Sequence, residues 1–149
     1  MKKIITNLKK MSVGIFASVL FAGSINATTY TATQSGNWSS ALTWGGTGPG
    51  ATIGTVDNVI IPAGMTVTLD MDVTVNSLVS YINVAGSLTT TTNSLTVTQG
   101  ALQGTGTRNL MYVEIGTLGS MTFSGTMTAD RFVNSGATLS MTVSVIVND

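Results

Sequence analysis

From Met65 to Val75 the chain alternates without a fault. Met65, Val67, Leu69, Met71, Val73 and Val75 are apolar, whereas Thr66, Thr68, Asp70, Asp72 and Thr74 are polar. A period of two puts successive side chains on opposite faces of an extended backbone, so one face is built for burial and the other for water. An α-helix cannot segregate these residues. The segment is either one half-buried strand or two strands bent at Asp70-Met71-Asp72. Val59 and Ile61 hold the same parity upstream, until Pro62-Ala63-Gly64 interrupts it. Beyond the N-terminal 27 residues, no segment carries a helical 3.6-residue period.

The remainder repeats loosely. Asn76-Ser77-Leu78 returns as Asn93-Ser94-Leu95. Gly86-Ser87-Leu88, Gly100-Ala101-Leu102 and Gly119-Ser120-Met121 share a glycine, a small residue and an apolar one, and Gly136-Ala137-Thr138-Leu139 is a looser copy. One strand per copy at a near-constant period predicts an all-β solenoid, each coil leaning on the next because none buries its own face. An antiparallel sandwich with similar turn spacing is the alternative. No Asn-Gly or Asp-Gly hairpin turn is present, which favours the solenoid. Thr28 to Gln34 is a further strand candidate. Residues 35–56 form a loop rich in Gly, Ser and Thr, and Trp38 and Trp44 are its only large anchors, suited to folding back over the end of a sheet. Near the C-terminus, Met141 to Val147 reads as a strand with no polar cap after it. An uncovered edge of that kind predicts self-association.

Residues 1–27 have the make-up of a secretory signal peptide. Lys2, Lys3, Lys9 and Lys10 precede a short apolar run from Met11 to Ala22, and Ile25-Asn26-Ala27 is an acceptable cleavage site. The run is too short for a spanning helix, so no membrane span is expected after cleavage. Removing the leader removes every lysine. Arg108 and Arg131 then face Asp57, Asp70, Asp72, Glu114, Asp130 and Asp149, so two cations against six acids leave a net charge of −4. Two scattered arginines cannot neutralise a run of phosphates, which argues against nucleic acid and against anionic lipid as partners. With no cysteine, the secreted chain must hold together by burial and backbone hydrogen bonding alone.

Histidine is absent as well. Ser-His-Asp and Cys-His nucleophiles and His/Cys zinc sites are therefore excluded, and lysine chemistry leaves with the leader. Asp70 and Asp72 are the best carboxylate pair. In one strand they would share a face at roughly 6.6 Å, at the low end of the range for inverting glycosidases. The same pair could ligate calcium, and the plainer reading puts both on a solvated face or at a turn. Trp38 and Trp44 could stack on sugar rings or be buried beneath the loop. Asp57 is expected to cap the backbone of the loop ahead of it. The Thr89–Thr92 run reads as a solvated turn. Outward threonine rows can suit ice binding, but the rows here are too irregular to indicate it.

Trp38, Thr43-Trp44-Gly45-Gly46, Pro49-Gly50, Asp57-Asn58-Val59-Ile60-Ile61-Pro62-Ala63-Gly64, Val67-Thr68-Leu69-Asp70 and Gly86-Ser87-Leu88 occur in an order and spacing that resemble the first half of a G8 domain. They also resemble the N-terminal module of large secreted Bacteroidota surface proteins with β-helix repeats. The resemblance covers residues 36–90. It implies an extracellular all-β module, residues 28–90, leading into a right-handed parallel β-helix whose degenerate coils would occupy residues 91–149 and be short relative to longer relatives. Some G8 proteins are linked to hyaluronan. The expectation is thus a secreted, non-enzymatic solenoid at the cell surface with a structural or adhesive role and no required cofactor, capped at its N-terminal end by the Trp/Gly-rich loop. Two alternatives stand beside it. One is a carbohydrate-binding module using Trp38, Trp44, Asp70 and Asp72; the other is the N-terminal fragment of a polysaccharide-degrading β-helix protein. Extracellular polysaccharide or another surface protein would be the partner.

Overall fold

The computed structural model describes residues 26–54, 56–141 and 145–147. All but two residues of the expected signal peptide lie outside these. Every strand pairing among the described residues is parallel. A sandwich of hairpins would pair its strands antiparallel, so the chain is a β-solenoid of about four regular turns. No described helix is long and apolar enough to cross a membrane.

Each turn visits three faces. The first holds β1 (Thr29–Thr31), β4 (Asn58–Ile61), the C-terminal parts of β6 (Val73–Val84), β8 (Ser94–Gly104) and β9 (Thr107–Phe123), and β11 (Thr138–Met141). The second holds β2 (Gly36–Asn37), β5 (Thr66–Thr68), β7 (Ser87–Thr89), the start of β9, the start of β10 (Met127–Asn134), and β12 (Val145–Val147). The third stacks β3 (Thr52–Ile53) on the N-terminal part of β6, then on β8, the middle of β9 and the end of β10. Strands before residue 90 pair directly with strands after it, β6 with β8 and β7 with β9.

Alternation in the sequence becomes the inside and outside of this coil. Val67, Leu69, Val73 and Val75 are buried, and Asp70 and Asp72 are exposed. The segment is two strands rather than one, bent where residues 69–72 leave the ladder. Inward residues stack into columns: Val59, Ile82, Leu102 and Met121 on the first face, and Val73, Leu95, Val113 and Phe132 on the third. A single coil would leave such residues in water, so burial makes each turn depend on its neighbours.

The phase of the repeat differs from the one expected. Leu88 does not stack on Leu102. It lies between Val67 and Arg108 on the second face, whereas Leu102 lies between Ile82 and Met121 on the first. Each coil has two glycine corners of similar sequence. Gly86, Gly106 and Gly125 turn the first face into the second, and Gly100 and Gly119 turn the third into the first. The 14-residue gap from Gly86 to Gly100 is therefore part of one coil, and the 19-residue gap from Gly100 to Gly119 is a full coil. Sterics enforce these corners. At Gly100, φ is +88° and an added Cβ would lie 2.4 Å from the Ser80 carbonyl oxygen. At Gly106 it would lie 2.0 Å from that of Gly86. The second recurrence also fails, because Leu95 pairs with Val73, not with Leu78. Leu78 and Val79 sit in a bulge between the Asn76 and Tyr81 pairings and are exposed.

Candidate functional site

The N-terminal turn is a cap, as expected, and it contains both tryptophans. Its 3-10 helix, Ala41–Trp44, ends at Gly45 in the left-handed conformation. Trp38 is fully buried and Trp44 nearly so. Their rings meet edge to face, with centroids 5.2 Å apart. Trp44 Nε1 donates to the Trp38 carbonyl and Trp38 Nε1 to that of Gly50, each at 2.7 Å. A ring without an exposed face cannot stack on a sugar from solvent, so in this arrangement the tryptophans form the core of the cap.

Asp70 and Asp72 are both exposed, and they serve different neighbours. Asp70 accepts from the Ser39 amide at 2.9 Å and from its hydroxyl, tying the cap to the second turn. Asp72 accepts from the Ser94 amide at 2.7 Å and hydroxyl at 2.9 Å, tying that turn to the third. The residues occupy a corner, not one strand, so the shared-face spacing expected of them does not apply. Both carboxylates that a calcium pair would use are thus already engaged, by Ser39 and by Ser94. Among the described residues, no group of three or more His, Cys, Asp or Glu side chains is placed to hold a metal. Asp57 accepts from the Thr28 amide at 3.0 Å, so it clamps the start of β1 instead of the loop ahead of it.

Partial desolvation pulls the Asp70 carboxyl upward. The Ser39 hydroxyl and amide, its own amide and the Asn37 side chain outweigh that, and the net shift is below 3.8. For Asp72 the Ser94 amide dominates, followed by the Ser94 hydroxyl, again lowering it from 3.8. A carboxylate with a depressed folded pKa contributes stability that is present above its unfolded value and is lost as pH falls through the folded one. Thermal melts of the native chain should thus fall more steeply below the ordinary carboxylate range than those of Asp70→Asn/Asp72→Asn. Parallel acid profiles for the two proteins would show that the clamps contribute nothing.

Two features of the outer surface depend on the coil register, which the sequence repeat does not fix. The first is an open cleft of about 410 Å³ lined by Asn83, Gln103, Thr105, Thr122, Ser124 and Ser140, together with Gly104 and Phe123. Asn83, Gln103, Thr122 and Ser140 are in register on four successive turns, so one column of amides and hydroxyls forms its wall. The second is the outward side of the second face. There Thr66-Val67-Thr68, Ser87-Leu88-Thr89 and Thr107-Arg108-Asn109 pair in register, and Thr126-Met127-Thr128 follows, with the Arg108 amide bonded to the Thr126 carbonyl. The middle residue of each triplet points into the core. The flanking residues form two parallel rows of hydroxyl and amide groups.

No family model, no curated protein and no solved structure matches this chain.

Proposed function

We propose that this chain is a secreted, non-enzymatic β-solenoid module that presents a patterned surface outside the cell in a structural or adhesive role. One observation carries the reading. The second face sets eight outward positions in two rows over four turns, and six are threonine, with one serine and one asparagine. Threonine is stiff about χ1, so a parallel sheet holds its hydroxyls and methyls in a fixed pattern at little entropic cost. The leader-like residues 1–27 and the G8-like order of residues 36–90 support export. With only two arginines beyond that leader, neither nucleic acid nor anionic lipid is a fitting partner. The test is protease shaving of intact source cells, followed by detection of the chain with a specific antibody. Signal lost on shaving supports surface presentation. Signal retained inside shaved cells overturns it.

A second reading, carbohydrate recognition, is favoured by the cleft rather than by the tryptophans. Its in-register amides and hydroxyls suit sugar hydroxyls, and it crosses several turns, as an extended glycan would. Saturable binding of the full chain to one polysaccharide of a panel, lost in Asn83→Ala/Thr122→Ala, would support it. Equal binding by the variant would remove the cleft from that role. Repeating the assay with calcium and with chelator shows whether Asp70 and Asp72 take part.

A further inference from the structure

We propose that the second face binds ice, through the two rows Thr66, Ser87, Thr107, Thr126 and Thr68, Thr89, Asn109, Thr128. The inference rests on the surface-presenting reading above and names its ligand. Successive turns are spaced by about 4.8 Å, and residues two apart on one strand by about 6.6 Å. The rows therefore form a two-dimensional grid of hydroxyl groups, repeating in one direction with the coil and in the other with the pleat. Within the second row the Thr68 and Thr89 hydroxyls are adjacent and hydrogen-bond to each other at 3.3 Å, closer than the spacing of the turns. Only a ligand that repeats in two directions engages every point of such a grid at once.

Charge and shape narrow the ligand further. None of the eight outward side chains carries a charge, in keeping with an uncharged ligand surface. A crystalline polysaccharide is also flat, periodic and uncharged, but its sugar rings are gripped by exposed aromatic faces, and no aromatic residue stands in either row. Threonine instead offers a hydroxyl that can join a water lattice beside a methyl that cannot. Its stiff χ1 holds both in place, and water ordered over such a grid is already arranged as a crystal face is. The rows are continuous in the fold because the inward residue of each triplet, Val67, Leu88, Arg108 or Met127, is buried and keeps the face level.

The test uses the full chain and growing polycrystalline ice, with microcrystalline cellulose and chitin as parallel solids. The expected result is enrichment in the ice fraction and slowed recrystallisation. Both should be lost in Thr107→Lys/Thr126→Lys and kept in Leu78→Lys/Leu118→Lys, which places the same two charges on exposed positions between the third and first faces. Thr107 and Thr126 are exposed, so an unchanged far-UV spectrum is expected of the variant. Thr107→Val, which keeps the methyl and removes the hydroxyl, gives a second reading should the lysine variant fail to fold. Exclusion of the folded native chain from ice would overturn the proposal, as would equal loss in Leu78→Lys/Leu118→Lys or binding to cellulose or chitin without ice activity. Surface shaving separates the two levels of inference. A surface-exposed chain excluded from ice overturns the ice proposal alone, whereas a chain found only inside the cell overturns surface presentation.

Discussion

Trp38→Ala is expected to destabilise the protein by about 3–5 kcal/mol, the range for truncating a buried large aromatic. The indole is fully buried, and the cap has little else to fill the space. The loss extends beyond packing. The Gly50 carbonyl forfeits its 2.7 Å partner, the edge-to-face contact with Trp44 disappears, and the Trp44 ring loses the surface that fixes it. Trp38→Phe isolates part of this, since it keeps most of the bulk and removes the N–H donor, at about 1–2 kcal/mol. Urea unfolding measures both. The two tryptophans are the only ones in the chain and both lie in the cap, so their emission reports on the cap, while far-UV circular dichroism reports on the whole sheet. Coincident transitions in the native protein would mean that cap and coils unfold as one unit. In Trp38→Ala the fluorescence of Trp44 should shift to the red before the sheet signal falls. A variant as stable as the native chain, with unchanged emission, would show that the cap does not depend on this ring.

How far the sequence could be read follows from what kind of information each feature needs. Burial was legible at Val67, Leu69, Val73 and Val75, because strand alternation is local and a period of two has one meaning. The cap was legible from Trp38 and Trp44 in a loop with no other large residue. The coil register was not. Two corners of one turn carry similar glycine triplets, and the sterics that require glycine are the same at both, so Gly86 and Gly100 look like consecutive repeats although they face different sheets. Phasing on Gly86, Gly106 and Gly125 aligns Thr66-Val67-Thr68, Ser87-Leu88-Thr89, Thr107-Arg108-Asn109 and Thr126-Met127-Thr128, and threonine rows that looked irregular become continuous. Asp70 and Asp72 fit either a pair on one strand or a solvated turn when read from sequence, and the structure gives the turn. Their spacing is that of a shared strand face, but the bend between β5 and β6 sends one carboxylate to each neighbouring turn, and bends of this kind depend on contacts far away in sequence. Arg108 was hidden most completely, since it stands at an inward position where the alternation calls for an apolar residue.

Arg108 is the site at which core and corner make opposite demands. It is fully buried in the column of Val67, Leu88 and Met127. The guanidinium lies 4.6 Å from the centre of the Phe123 ring. It donates to the carbonyls of Gln103 at 2.7 Å, Gly106 at 2.9 Å and Val84 at 3.5 Å, and its Nε finds no partner. Burial lowers its pKa from the ordinary guanidinium value to about 10. While the group is charged, that depression is a cost to stability. Because the folded pKa of this base lies below the unfolded one, the cost is present in full below the folded value and is relieved as pH rises above about 10 towards the unfolded value. Arg108→Ala removes the cost but leaves a cavity and stranded carbonyls, and it should destabilise by about 3 kcal/mol. Arg108→Met fills the column as Met127 does on the next turn. Near neutral pH, relief of the buried charge offsets the lost hydrogen bonds, and this variant should fall within about 1 kcal/mol of the native protein. Urea midpoints at neutral pH and above pH 10 decide the matter. The native chain should gain on Arg108→Met as the guanidinium begins to lose its proton, while tyrosine ionisation, common to both, cancels from the difference. If Arg108→Met instead unfolds as readily as Arg108→Ala, the carbonyl bonds at the corner outweigh the burial of the charge, and arginine holds the turn where only glycine and a cation fit.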